Sequence, residues 1–310
     1  MSPVSPFATD MLQALSSSPR SIAPKYFYDE VGSRLFDDIC ELPEYYPTRT
    51  ETALLQARAA EIAACMGPDV DLVEFGAGAM TKVRILLPAL SSPKRYLPID
   101  ISGDYLEAAA KPLRLQFPNL SIEPHVADYS QGLSLPASPV GTRQRVGFFP
   151  GSTIGNYTPA EAVAFFKMAA QVVRGGALLV GADLIKDPAA LHAAYSDAQG
   201  VTAAFNLNLL ARANRELGTD FDLAQFAHSA FYNAPLQRIE MHLMSLCRQT
   251  VTLQGQPFEF EEGETLHTEN SYKFTVEGLR NLARQAGFTA GPVWLDADRK
   301  FSLHWLTAPQ

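Results

Sequence analysis

A chain of 310 residues is long enough for one large domain or two modest ones with real cores. Its formal net charge of −8, from 25 Lys and Arg against 33 Asp and Glu, argues against a broad nucleic-acid footprint, which needs clustered basic residues. The three scattered cysteines form no CxxC, and no apolar run approaches the ~18 residues of a membrane span, so neither a zinc knuckle, a disulfide framework nor a membrane anchor is expected.

Residues 1–21 lack a charged segment followed by an apolar one, so no signal peptide is expected. They are rich in Ser, Pro and Ala and are expected to pack loosely. Two proline-broken, tyrosine-rich segments follow, Pro24 to Glu30 and Leu42 to Arg49. They read as short helices and loops. Thr50 to Met66 is rich in Ala and Leu and reads as a helix. Asp71 to Phe75 is a short buried strand ending in Gly76-Ala77-Gly78, and Lys82 to Leu90 is a helix. Arg95 to Ile101 is a second strand closing on Asp100. Tyr105 to Gln116 is a helix, and Leu120 to Ala127 a third strand closing on Asp128. Val146 to Gly151 is a fourth strand, Pro159 to Val173 a helix, and Ala177 to Asp183 a fifth strand.

Alternation of strand and helix with short connections predicts a parallel, doubly wound sheet. Ligand-binding groups should then lie at the carboxyl ends of its strands, where Glu74, Asp100, Asp128, Asn156 and Asp183 fall. The rhythm breaks after the fifth strand. Asp187 to Leu217 is mainly helical. Gln237 to Leu253 reads as one long strand, and Pro257 to Thr268 as its hairpin partner, turning near Glu262-Gly263. Thr275 to Ala286 is a helix closed by Gly287. Pro292 to Asp296 and Phe301 to Leu306 form a terminal β-pair.

The Gly76-Ala77-Gly78 turn lets backbone approach a ligand closely, and the helix after it offers free N–H groups. Alone it is only a glycine-rich turn. The third glycine of the dinucleotide fingerprint is missing, since Ala79 and Met80 stand there, which disfavours a nicotinamide-dependent oxidoreductase. Asp100, at the next strand end, suits a ribose diol, although an acid there also suits a helix cap. Asp128-Tyr129 suits an adenine, or simply a turn. Together the three fit S-adenosylmethionine. Gly76, Gly78, Asp100, Asp128 and Tyr129 are the candidate cofactor residues. The six histidines are dispersed, so none is assigned to a metal, and His242 and His304 read as structural.

Five further segments carry a resemblance: Tyr45-Tyr46-Pro47-Thr48-Arg49, Gly151-Ser152-Thr153-Ile154-Gly155-Asn156-Tyr157, Ala194 to Ala198, Gly200 to Asn206, and Thr268-Glu269-Asn270-Ser271-Tyr272-Lys273-Phe274. In order and spacing the chain resembles the histidine Nα-methyltransferases of ergothioneine biosynthesis, from about Tyr26 to the C-terminus. The resemblance implies three successive methyl transfers from S-adenosylmethionine to the α-amine of L-histidine, giving hercynine and S-adenosylhomocysteine. It implies an α/β architecture: a class I Rossmann-like methyltransferase sheet (51–186 plus 272–310) and a second, α+β, substrate-covering domain (10–50 plus 187–271).

Carried over residue by residue, Gly76, Lys82, Asp100, Asp128 and Tyr129 fall at cofactor positions, Tyr28 lies near the amine, and Asn156 and Tyr195 hold the carboxylate and amine region. Tyr45, Glu269 and Ser271 contact the imidazole. Gly151, Thr202 and Met241 complete the expected substrate set, with Tyr28 and Asn156 as the expected catalytic residues. The chain departs from the family pattern at Ala79-Met80 and at Asn270 and Tyr272. The residues themselves are compatible with the assignment: Glu269 and Ser271, two apart on a strand, share a face and can grip an imidazole N–H. Without the resemblance, Tyr45-Tyr46 also fits plain aromatic packing, and Glu269 with Lys273 a solvated pair. The expected protein is a cytoplasmic monomer with a small-molecule substrate and neither metal, nucleic acid nor membrane partner. An Nα-methyltransferase for another amino acid, such as tryptophan, and a non-catalytic cofactor-binding subunit are the competing readings.

Overall fold

A computed structural model describes residues 5–129 and 132–310. The chain begins with α1 (Pro6–Ser16), β1 (Arg20–Ser21), α2 (Glu30–Glu41) and α3 (Tyr46–Met66). It continues through β2 (Val70–Phe75), α4 (Val83–Leu86), β3 (Arg95–Asp100), α5 (Gly103–Gln116), β4 (Ser121–Ile122), β5 (His125–Val126), β6 (Gln144–Phe149), α6 (Pro159–Val172) and β7 (Ala177–Asp183). Then come α7 (Pro188–Tyr195), α8 (Val201–Leu217), β8 (Phe226–Asn233), β9 (Arg238–Ser245), β10 (Gln249–Leu253), β11 (Gln256–Phe260) and β12 (Thr265–Tyr272). The chain ends with α9 (Val276–Gln285), β13 (Thr289–Leu295) and β14 (Phe301–Thr307). It divides into two compact units: Met1–Tyr46 with Lys186–Ser271, and Pro47–Ile185 with Tyr272–Gln310.

The second unit is built on a sheet of order β13-β14-β7-β6-β2-β3-β4, with β5 also on β3. β2, β3, β6 and β7 are parallel, and β14 runs antiparallel to β7. Side chains alternate with the strand period. Leu72, Phe148 and Leu179 face one apolar layer with Leu55 and Ile62 of α3. Val73, Phe75 and Val180 face another with Phe166 of α6 and Leu279 of α9. The sheet is therefore covered on both faces, as parallel sheets require. From β2 the chain first adds strands on one side (β3, β4), then returns to add β6 and β7 on the other. The carboxyl ends of β2 and β6 thus flank the topological switch point, where such sheets bind ligands.

The first unit has a four-stranded sheet of order β1-β12-β9-β8 and a separate β10-β11 hairpin. Its core joins Met11 and Leu15 of α1, Phe27, Phe205 of α8, Leu243 of β9 and Phe260 of β11.

Several expectations need correction. Residues 5–21 do not pack loosely, and residues 1–4 lie outside the described residues. The Ser5 hydroxyl accepts from Ala8 N, Pro6 opens a helix, and Phe7, Met11, Ala14 and Leu15 are buried along one face. The expected third strand is two short pieces either side of Pro124, which has no N–H to give the ladder. Lys82 to Leu90 is one helical turn, α4, followed by a 3₁₀ turn, with Pro88 ending the α-helical pattern. Gln237 to Leu253 is not one strand. It breaks after Ser245, whose hydroxyl donates to Cys247 O. The hairpin turns at Gln254 and Gly255, both at positive φ, and not at Glu262-Gly263. β8 was not anticipated.

Candidate active site

In the second unit, Gly76 (φ +69) and Gly78 (φ +49) bend the chain away from β2. Among the described residues, a side chain on Gly78 would meet nothing within 4 Å, so this backbone is open to an approaching ligand. Met80 takes the left-handed conformation without being glycine (φ +55), with its side chain fully buried. The packed side chain holds the turn that the missing glycine would have eased. Asp100 Oδ2 accepts from Gly78 N (3.0 Å) and Oδ1 from Ser102 N (3.0 Å). It ties the glycine turn to the end of β3 and keeps lone pairs for a further donor. The Tyr129 ring lies edge-on to Phe75, Phe149 and Phe165, with its hydroxyl 3.3 Å from where a Gly76 Cβ would stand. Asp128 is close enough to oppose ionisation of Tyr157, whose pKa burial pushes up to about 12.

Glu51, in the first turns of α3, is fully buried. Both of its carboxylate oxygens accept from Gly151 N (3.0 and 2.9 Å), and Lys82 Nζ lies 2.6 Å away. One carboxylate thus fixes a candidate cofactor residue and the start of the Gly151–Tyr157 segment. Gly151 sits at φ +82, and a Cβ on Gly181 would strike Glu51 Oε1 at 2.1 Å. Glycine at 181 leaves the room this carboxylate needs. Ser152 then accepts from Asp183 N (2.9 Å), and a 3₁₀ turn carries the chain to Asn156. Glu51 was missed by sequence reasoning, because an acid early in a helix normally needs only its own helix.

Glu74 is also buried and takes the hydrogen bond of the Tyr96 hydroxyl. Burial pushes its pKa up to about 8. Lys273, offered above as a solvated partner of Glu269, is buried in the second unit and pairs with Asp183 at 2.9 Å. The solvated-pair reading therefore falls.

In the first unit, Tyr195 Oη and Ser271 Oγ are 2.7 Å apart. Tyr45 meets Tyr195 edge-on at 6.1 Å and Phe36 at 6.3 Å. Burial raises the Tyr45 phenol well above its usual pKa, and Tyr195, Cys40, Glu269 and Tyr28 add to the effect. Tyr45 therefore stays a neutral donor, and these side chains form one neighbourhood. Tyr28 is held edge-on to Phe36 (5.7 Å) and Phe205 (5.8 Å). Met241 belongs to the same core as Tyr45 and Tyr195. At the start of α8, Thr202 N donates to Asp197 Oδ1 (2.8 Å), and the Thr202 side chain is buried.

The sequence of residues 7–308 matches the model of a family described as histidine-specific methyltransferase, SAM-dependent. The chain belongs to this family. It is 42% identical, over 95% of its length and 92% of theirs, to the histidine N-alpha-methyltransferases of Mycolicibacterium smegmatis and Mycobacterium tuberculosis. It is 31% identical to the ergothioneine biosynthesis protein 1 of Neurospora crassa, across 93% of this chain and 33% of that one.

The family's cofactor fits the residues present. Open backbone at Gly78, an acid with free lone pairs at Asp100, an aromatic wall at Tyr129 and an ammonium at Lys82 match the parts of an adenosyl amino acid. Outside this set, Glu240, His242 and His267 bring three potential metal-ligand atoms within 4.8 Å of one another. The two imidazoles stack at 4.6 Å with planes 17° apart, and Arg238 already pairs with Glu240 at 2.7 Å. Parallel rings do not aim in-plane lone pairs at one point, and a guanidinium competes for the carboxylate. Sequence spacing left these three residues unconnected. His304 is buried with Nε2 on Ser302 Oγ (2.9 Å) and, among the described residues, no partner for Nδ1, so it is structural but half-satisfied. The three cysteines are free thiols, and no described helix is long and apolar enough to cross a membrane.

Proposed function

We propose that this protein methylates the α-amine of L-histidine three times, with S-adenosylmethionine as donor, to give hercynine. The observation that carries the substrate assignment is the Tyr195–Ser271 hydrogen bond, with Glu269 on the same strand and close to Tyr45. A carboxylate, two phenols and a hydroxyl make a set that accepts and donates around an imidazole ring. The cofactor supplies an electrophilic methyl on a sulfonium.

The protein's part is to bind, orient and deprotonate. Gly76, Gly78, Lys82, Asp100, Asp128 and Tyr129 hold the cofactor. Asn156 and Tyr195 orient the amino acid through its carboxylate and amine, and Gly151 and Thr202 belong to the same substrate set. Tyr45, Met241, Glu269 and Ser271 enclose the imidazole. The α-ammonium must lose one proton before each transfer, three in all. No strong base is needed when a nearby cation and partial burial lower the amine's pKa. The Tyr28 hydroxyl passes the proton towards solvent. Positioning supplies most of the acceleration, since a bound amine facing its electrophile reacts as if at very high concentration.

Mass spectrometry of histidine incubated with the protein and S-adenosylmethionine tests the reading. Products with one, two and three added methyl groups are expected. Untouched histidine, with another amino acid methylated from a panel, would replace the substrate assignment. A chain that neither binds nor methylates any of them would be a cofactor-binding subunit.

A further inference from the structure

Asn206 lies inside α8 with no exposed surface. Asparagine is a poor residue for a helix interior, and a buried amide is costly unless its hydrogen bonds are made. Here they are made. Asn206 Nδ2 is 3.0 Å from His242 O and 2.9 Å from His228 Nδ1. Asn206 Oδ1 accepts from Thr268 Oγ1 at 2.8 Å.

The roles can be deduced from one group. His242 O can only accept, so the NH₂ of Asn206 must face it. The second N–H then points at His228 Nδ1, which must be the unprotonated nitrogen. The proton of a neutral His228 is therefore on Nε2, which donates to Tyr195 O at 2.9 Å. Burial lowers the His228 pKa, in keeping with a neutral ring. Thr268 Oγ1 lies 2.8 Å from Asn206 Oδ1 and 3.0 Å from Met241 O, and shares its single proton between them.

One amide thus joins α8, β8, β9, β12 and the end of α7. The points it holds are the backbone of Tyr195, the backbone of Met241 and its neighbour His242, and Thr268, which directly precedes Glu269. We propose that Asn206, with His228 and Thr268, is the positioning network that sets the spacing of Tyr195, Met241 and Glu269, and so the fit of the amino-acid side chain. This rests on the reading of those three residues as substrate contacts. None of the network residues touches the substrate in that reading. They act through the backbone of residues that do.

The test uses Asn206→Leu, similar in size with no hydrogen bonds, and the pair Thr268→Val and Thr268→Ser. Histidine KM and kcat, the Kd for S-adenosylhomocysteine and the melting temperature are measured on each. Asn206→Leu and Thr268→Val are expected to raise the histidine KM about tenfold or more, with the S-adenosylhomocysteine Kd unchanged within about twofold. Thr268→Ser keeps the hydroxyl and is expected to restore a KM near that of the wild type. If Asn206→Leu does not fold, the Thr268 pair decides alone. A histidine KM unchanged in folded Thr268→Val overturns the network role. So does a KM that rises only in step with a weakened S-adenosylhomocysteine Kd, which is general damage. Wild-type turnover of histidine is measured first. Its absence defeats the functional reading, whereas the variant outcomes judge the network.

Discussion

The Lys82 ammonium stands 2.6 Å from the Glu51 carboxylate, which has no exposed surface and also takes the N–H of Gly151. A buried carboxylate with one cation and one backbone donor is stable only while both stay in place, and breaking such a pair costs ~3–5 kcal/mol. Lys82 is therefore held where the cofactor assignment needs it, by a residue that need not touch the cofactor.

Glu51→Gln keeps an acceptor for Gly151 but leaves Lys82 without its charge partner. It is expected to lower the melting temperature and weaken S-adenosylhomocysteine about tenfold. Lys82→Met should weaken binding comparably, and the double variant little further, because the two act as one unit. Calorimetry on the four proteins checks this. Fully additive losses would show that the pair does not act together.

Glu269→Ala removes the carboxylate assigned to the imidazole and leaves Ser271 and Tyr195 paired. The histidine kcat/KM is expected to fall, by as much as about 10⁴-fold for a pocket that selects by hydrogen bonding. S-adenosylhomocysteine binding should not move. Steady-state kinetics over a panel of amino acids measures it, and unchanged histidine kinetics would remove Glu269 from the substrate set.

Tyr28→Phe deletes one hydroxyl and keeps the ring packing on Phe36 and Phe205. Turnover is expected to slow, by up to about 10²-fold, and most at low pH, where the α-ammonium holds its proton hardest. A pH–rate profile that overlays the wild type would exclude the relay.

Glu74 binds its proton more tightly in the fold, with a pKa of about 8, than in the unfolded chain, near its ordinary 4.5. Between these values the folded state holds more protons than the unfolded one, so this group's contribution to stability falls as pH rises from about 4.5 to 8. Glu74→Gln cannot ionise and escapes that loss. Its melting temperature minus that of the wild type is expected to grow steadily from pH 5 to pH 8. A difference independent of pH would place the Glu74 pKa back in the ordinary range.

The sequence by itself determined the second unit's strand–helix alternation, the Gly76-Ala77-Gly78 turn and the acid at Asp100. Strand period and turn chemistry are written over a few neighbouring residues. It also brought the family into view, through segments such as Gly151 to Tyr157 and Thr268 to Phe274. Even α1 carried local signals in its Ser-Pro start and its apolar spacing, though they were outweighed by composition. The tertiary structure decided which buried polar groups meet. Glu51 reaches a backbone N–H one hundred residues away, and Asn206 reaches Thr268 across sixty-two. It also paired Lys273 with Asp183 in place of the alternative solvated pair with Glu269, and broke the long strand at Ser245. The physical reason is that a buried amide or carboxylate is satisfied by whichever donor the fold brings within about 3 Å, and no local pattern encodes that partner.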